Sequence, residues 1–241
     1  MFKSTAELLA ALNSPHNTTR KAAEQAFLQQ QASNAEALAQ ELLNAVGAGA
    51  TLPEPSRVMA AVLARRFTAP MTCRSDAPWA AAVVASFREA LCAKMLGEAS
   101  PLVARQLCHA VASEASAGAW PEVLQMAGDA LGRDVPALEA GDASRAQSAR
   151  ICLSLARALV EADAAGGDAG AEALSPLLAR YCGVGDGETS TLAVRAACAL
   201  GARASAKARK ATVGPQLCGP CLAATQKLLE AGDEARAVEC F

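Results

Sequence analysis

At 241 residues the chain has enough length for one large hydrophobic core or two small ones. Hydrophobic residues make up 52% but aromatics only 3%, and Ala and Leu dominate over the β-branched and aromatic residues that strands favour, so the predicted class is all-α. A formal net charge of -2 lacks the basic excess of a nucleic-acid binder, so direct nucleic-acid binding is not expected.

The first predicted helix opens at Ser4-Thr-Ala-Glu7, a capping-box pattern, and carries Leu8, Leu9 and Leu12 on one face. Charges at Lys3, Glu7, Arg20, Lys21 and Glu24 break any long apolar run, so neither a secretory signal nor a membrane anchor is predicted, and the expected setting is soluble and intracellular. Ser14-Pro15 stops this helix and starts a second with Pro15 at its first position, turning Ala23, Ala26 and Phe27 inward. Asn34 caps a third, with Leu38, Leu42, Leu43 and Val46 on its core face. Pro53 and Pro55 introduce a fourth, with Met59, Val62, Leu63 and Phe67 on one stripe. Further helices are predicted over Ala77 to Gly97, Pro101 to Ala117, Pro121 to Gly132, Ala143 to Asp163, Ala171 to Cys182, Thr189 to Ala204 and Gln216 to Glu230, with the first turns of one more from Asp233. The stretch from Glu161 to Ala173 reads as a flexible polar loop. The basic run Arg203, Lys207, Arg209 and Lys210 reads as a solvated connection rather than a localisation signal.

These helices pair, and the second of each pair carries an arginine near its start: Arg20, Arg57, Arg105, Arg145, Arg195 and Arg236. The gaps run from about 37 to 50 residues, within the range of HEAT and armadillo units. Three residues after the first five stand Ala23, Ala60, Cys108, Ser148 and Cys198, all small, as close helix approach requires. The expected fold is therefore a HEAT-repeat α-solenoid of stacked antiparallel helix pairs in a right-handed superhelix, a single array of about five and a half repeats. Its units fall near 4–32, 34–70, 76–117, 119–163, 170–204 and an incomplete 207–241. Because the chain stops partway through a helix, without a polar capping repeat, it reads as the N-terminal part of a longer array.

Three stretches carry a family resemblance. "LLAALNSPHNTTRKAAEQAFLQQQ" (Leu8 to Gln31), "SRVMAAVLARRFTAPM" (Ser56 to Met71) and "AWPEVLQMAGDAL" (Ala119 to Leu131) resemble the first, second and fourth HEAT repeats of importin-beta-type nuclear transport receptors, the karyopherin-beta family, and within it the importin-5 branch. The Arg57 to Arg66 block and Trp120-Pro121-Glu122 are the most specific parts, and "TSTLAVRAACAL" adds a weaker match. That family builds a superhelix of roughly twenty repeats, so the repeats holding most cargo contacts and the acidic loop lie outside this chain. The resemblance implies partners rather than catalysis or a cofactor: Ran in its GTP form, FG-repeat nucleoporins, and protein cargo held mainly by downstream repeats. It also implies shuttling between cytoplasm and nucleus. The positions it assigns to the Ran face are Arg20, Lys21 and Glu24 on the first inner helix, Arg57, Arg65 and Arg66 on the second, and Arg105 and His109 on the third.

Two other readings compete. A general HEAT or armadillo scaffold outside transport predicts the same fold. Cys218-Gly-Pro-Cys221 has the spacing of a thioredoxin-like dithiol oxidoreductase, but its lead-in from Lys207 to Leu217 is too basic and broken for the buried strand such a site needs. The nine cysteines, from Cys73 to Cys240, lack framework spacing and read mostly as small buried thiols. No metal site is legible, since His16 and His109 are the only histidines and the adjacent Cys108 and His109 point to different faces of a helix. Gly183-Val-Gly-Asp-Gly187 lacks the strand and the Lys-Ser/Thr ending of a phosphate loop and reads as an inter-helix turn.

Overall fold

The computed structural model describes residues 2–68, 79–116, 120, 122–184 and 186–240. Cys73, Pro121, Gly185, Ala69 to Met71 and the predicted helix start at Ala77 lie outside the described residues. Among those described there is no strand, as the Ala- and Leu-rich composition predicts. The chain divides into two compact units, one ending at Glu114 and the other beginning at Ala115.

The first unit holds α1 (Thr5–Leu12), α2 (Asn17–Ser33), α3 (Ala35–Val46), α4 (Glu54–Ala64), α5 (Ala81–Leu96) and α6 (Pro101–Glu114). Consecutive helices pack as the pairs α1/α2, α3/α4 and α5/α6; neighbouring pairs meet through α1 with α3, α3 with α5 and α4 with α6. The Ser4 hydroxyl accepts from Glu7 N–H at 3.2 Å, while the Glu7 carboxylate reaches back to Lys3 N–H at 2.8 Å, so the capping box closes one residue earlier than its standard form. Asn34 caps α3 through Ala37 N–H at 3.3 Å. Pro15 stands outside α2: His16 takes the N-cap and Asn17 the first helical position, so the predicted proline start is corrected by two residues.

The cores follow the small residues as much as the large ones. Leu38, Leu42, Leu43 and Val46 are buried as expected, and so are Ala23 and Phe27. On α4 the predicted stripe shifts. Ala60, Ala61, Leu63 and Ala64 are buried with Phe67, whereas Val62 is exposed and Met59 half-buried. A 3-10 turn, Arg65–Phe67, tightens the end of α4 and swings Phe67 into an aromatic cluster. Its ring lies 6.4 Å edge-on from Phe27 and 6.2 Å from Trp79 in a stacked arrangement, and Trp79 meets Phe87 edge-on at 5.5 Å.

The second unit holds α7 (Glu122–Glu139), α8 (Ala146–Glu161), α9 (Gly167–Gly183), α10 (Gly187–Arg203), the single turn α11 (Ala206–Ala208), α12 (Gly214–Glu230) and α13 (Glu234–Glu239). Its pairs are α7/α8, α9/α10 and α12/α13, with α7, α9 and α12 stacking on one side and α8 packing on α10 on the other. The fully buried Tyr181 of α9 donates its hydroxyl to the Leu131 carbonyl of α7 at 2.9 Å, fastening two neighbouring pairs.

Three expectations are corrected here. The helix predicted to end at Gly132 runs on to Glu139 with Pro136 inside it. The predicted loop from Glu161 to Ala173 is helical from Gly167. Gly166 supplies the left-handed turn at φ 74°, and a Cβ at Gly170 would stand 1.5 Å from the Ala165 carbonyl, an approach only glycine permits. The basic run is not a loop either: Lys207 lies in α11, and Arg209 and Lys210 open a π-turn, Arg209–Val213, that leads straight into α12. Pro215 is the physical reason for the bulge, because its ring collides with the carbonyl four residues back and the helix must widen by one residue.

The arginine register also slips. Arg145 is exposed in a 3-10 turn, Ser148 is half-buried and Ala149 fully buried; Cys198 is exposed while Ala197 is buried. Arg150 instead joins the fourth pair to the fifth, reaching Asp186 and Glu188, each at 2.8 Å. Asp186 also caps α10, accepting from Thr189 N–H at 2.8 Å. Partial burial would raise the Asp186 carboxyl, but the Thr189 N–H and the Arg150 guanidinium together hold it below the ordinary carboxylate range. A group with a depressed folded pKa stabilises the fold above its unfolded value, about 3.9, and that contribution is lost as pH falls through the folded value. Asp186→Ala is therefore expected to cost about 1–2 kcal/mol at neutral pH, with the gap from wild type closing as pH drops below about 4. Denaturant titrations at several pH values check both the size and the sign.

Candidate functional site

The resemblance-assigned residues all fall in the first unit, on the second helices of its three pairs. Arg20, Lys21 and Glu24 lie in the first half of α2 and are exposed; Arg20 donates to the Asn17 side chain at 3.2 Å. Arg65 and Arg66 form the exposed 3-10 turn that ends α4. The Arg66 guanidinium carbon sits 5.6 Å from the centre of the Phe27 ring, a cation–π contact that joins α2 to the end of α4 and limits that side chain's freedom. On α6, Arg105 is exposed and His109, one turn on, is half-buried.

Arg57 differs. Its guanidinium donates to the Val46 carbonyl at 2.9 Å and pairs with the buried Glu98 carboxylate, leaving 13% of the side chain exposed. This arginine is committed to the interior, where it ties α4 to the end of α3 and to the turn before α6, so it stands behind the exposed residues rather than among them.

Both units hold paired and unpaired cations: Arg57 and Arg88 pair in the first, and in the second Arg145, Arg203, Lys207, Arg209, Lys210 and Lys227 join no ion pair among the described residues. In the second unit Arg133, Arg150, Arg157, Arg180, Arg195 and Arg236 all pair with Asp or Glu of the same unit. Arg180 and Glu139 pair across neighbouring helices, a contact that lowers the Glu139 carboxyl and raises the guanidinium. In the first unit, among the described residues, Arg20, Lys21, Arg65, Arg66 and Arg105 make no ion pair. Their charge is available to a partner, on helices held by a close-packed core.

A shallow groove of about 270 Å³ opens between α3 and α5, walled by Trp79, Ala82, Val83 and Phe87, with Glu36 and Gln40 at its rim. Sequence reading gave no place for such a groove, because Trp79 and Phe87 show as lining only once α5 is laid beside α3.

The Cys-Gly-Pro-Cys stretch lies inside α12, after α11 and the π-turn, rather than at the start of a helix following a strand. Cys218 is exposed, and Cys221 Sγ is hydrogen-bonded with Cys182 Sγ on α9, at 3.9 Å. The geometry lacks the helix N-terminus that lowers a thioredoxin-type thiol. No group of three metal-ligating side chains occurs among the described residues, and no described helix is long and apolar enough to cross a membrane.

No protein-family model matches the sequence, and no curated protein matches it. The fold, however, has clear counterparts among solved structures. Kap121p bound to RanGTP superposes with a TM-score of 0.74 over 98% of this chain, at 18% identity. The fold is that of a karyopherin HEAT solenoid. Kap121p alone matches with a TM-score of 0.66 over 97% of the chain at 21% identity, and Kap121p bound to Nup53p with 0.66 over 97% at 20%. The chain spans 21% of the length of these Kap121p chains. The all-α HEAT architecture expected from the sequence is thus observed. At this level of identity the likeness concerns the fold and does not select the importin-5 branch.

Proposed function

We propose that this chain is the N-terminal part of an importin-beta-like nuclear transport receptor of the importin-5 branch, and that the second helices of its first three pairs bind Ran in the GTP form. The observation that carries this reading is the set of exposed cations Arg20, Lys21, Arg65, Arg66 and Arg105, which join no ion pair among the described residues, on α2, the end of α4 and α6. Glu24 and His109 complete the face, and Arg57 braces it from behind. The structural likeness to Kap121p bound to RanGTP supports it. The protein is no enzyme in this reading: rigid helices present a preorganised charged surface whose complementarity sets association rate and partner choice. Ran-GTP binding opposes cargo binding, and reciprocity requires cargo to weaken Ran by the same factor. Cargo binds mainly through downstream repeats, and the receptor shuttles between cytoplasm and nucleus. Phenylalanine rings of FG-repeat nucleoporins dock in the Trp79–Phe87 groove, whose apolar walls suit an aromatic side chain.

Charge reversal tests the face. Arg65→Glu combined with Arg105→Glu alters two exposed side chains, so folding stability is expected to stay within about 0.5 kcal/mol of wild type. Affinity for Ran-GTP falls at least about tenfold, chiefly through slower association, and the salt dependence of binding flattens. Arg209→Glu in the second unit is the control and leaves binding unchanged. Unaltered binding by the double variant would remove this face from the account.

A further inference from the structure

The second unit gathers thiols that the proposed function does not use. Cys182 is buried at the end of α9, Cys221 is partly exposed on α12, Cys218 is exposed one turn before it, and Cys198 and Cys240 lie close enough for their charges to be felt by the others. Among the described residues the Sγ atoms of Cys182 and Cys221 meet at 3.9 Å, across the seam between neighbouring helix pairs. Both residues are held locally: the Cys182 carbonyl accepts from the Ser190 hydroxyl at 2.7 Å, and the Cys221 carbonyl from the Thr225 hydroxyl at 3.0 Å.

The hydrogen bond between the two sulfurs gives them unequal roles. The contact lowers the Cys221 thiol and, with burial, raises that of Cys182; Cys221 is also the more accessible of the two, so it is the member that meets an oxidant first. By contrast, burial pushes Cys92 up to about 11 and Cys152 to about 12.

We propose that Cys182 and Cys221 are an oxidative modification site, forming a reversible disulfide that locks α9 to α12, with a small-molecule disulfide such as oxidised glutathione as the oxidant. The Cys221 thiolate attacks one sulfur of the oxidant, forming a mixed disulfide and releasing one thiolate. Cys182 loses its proton and attacks Cys221 Sγ, and the second small thiolate leaves. Two protein thiols are oxidised and one small disulfide is reduced to two thiols. The sulfurs have to close from 3.9 Å to about 2.05 Å for the bond to form. The bond would span the fifth and sixth helix pairs and bar their separation along this seam. The inference stands independently of Ran binding.

The experiment treats the folded full chain with oxidised glutathione, blocks the remaining thiols by alkylation under denaturing conditions, and maps tryptic peptides. The expected product joins the peptide 181–195 to the peptide 211–227, with a mass about 2 Da below the sum of the two reduced peptides plus the one alkyl group carried by Cys218. It persists in Cys218→Ser, disappears in Cys221→Ser and in Cys182→Ala, and reverts with dithiothreitol. A disulfide confined to 211–227 would mean Cys218 pairs with Cys221 and would overturn the proposal. So would a mixed disulfide at Cys218 alone, or a folded protein whose Cys182 stays fully alkylatable. Circular dichroism of each variant separates loss of the bond from loss of the fold.

Discussion

Phe67→Ala is expected to lower the stability of the first unit by about 3–5 kcal/mol, among the largest effects of any single truncation in the chain. Phe67 has no exposed surface and sits between Phe27 of α2 and Trp79, which in turn meets Phe87 of α5. Removing its ring withdraws dispersion contacts from three helix pairs at once and leaves a cavity that neighbours on separate helices cannot fill without moving apart. Phe67→Leu keeps most of the volume and is expected to lose less than half as much. Urea titrations followed by circular dichroism and by tryptophan fluorescence read this directly, since Trp79 stacks on the altered ring. A change smaller than about 1 kcal/mol for the alanine variant would show that the cluster contributes little.

Arg88→Ala is expected to be comparably damaging, at about 3–5 kcal/mol, for an electrostatic reason. Arg88 of α5 donates from Nε to Glu114 at 2.9 Å, and the Glu114 side chain is wholly buried at the end of α6. Taking away the guanidinium removes a cationic partner from a wholly buried carboxylate, so the cost combines desolvation of Glu114 that this pair no longer offsets with the loss of the attraction itself. It follows that the pair is not needed as such. Arg88→Met together with Glu114→Leu is expected to recover most of the stability, because two packed apolar side chains replace two desolvated charges. A double variant no better than Arg88→Ala would place the stabilisation in the ion pair itself. Thermal unfolding of the three proteins under one buffer condition decides this.

Neither Glu114 nor Glu98 could be found in the sequence, because nothing in composition distinguishes an acidic residue at a buried helix end from one in solvent. The partner that buries it lies far along the chain, as Arg57 does for Glu98 and Arg88 for Glu114. Local signals were far more legible. Ser4, Asn34 and Asp233 each cap a helix, and a cap needs only the few residues that follow it, whereas Asp186 read only as part of a turn. The failures cluster where alanine and glycine blur the hydrophobic period. Alanine is apolar on either face, so Val62 looked like core and Ala61 did not, although the structure reverses them. Glycine clusters at Gly166-Gly167 and a run of cations at Lys207 to Lys210 look like loops by habit, yet alanine, lysine and arginine are good helix formers. Glycine was required there only for the start of α9. The candidate face was legible as residue types on the second helices. Its division into exposed cations and a committed Arg57 depends on contacts across the fold.

The most direct test of the central claim is a titration of the folded chain against Ran loaded with GTP and, in parallel, with GDP. The account predicts clear binding to the GTP form and much weaker binding to the GDP form, with the preference reduced by reversing Arg65 and Arg105. Equal affinity for both forms, or no binding to either by a folded sample, would contradict it and favour a HEAT scaffold outside nuclear transport.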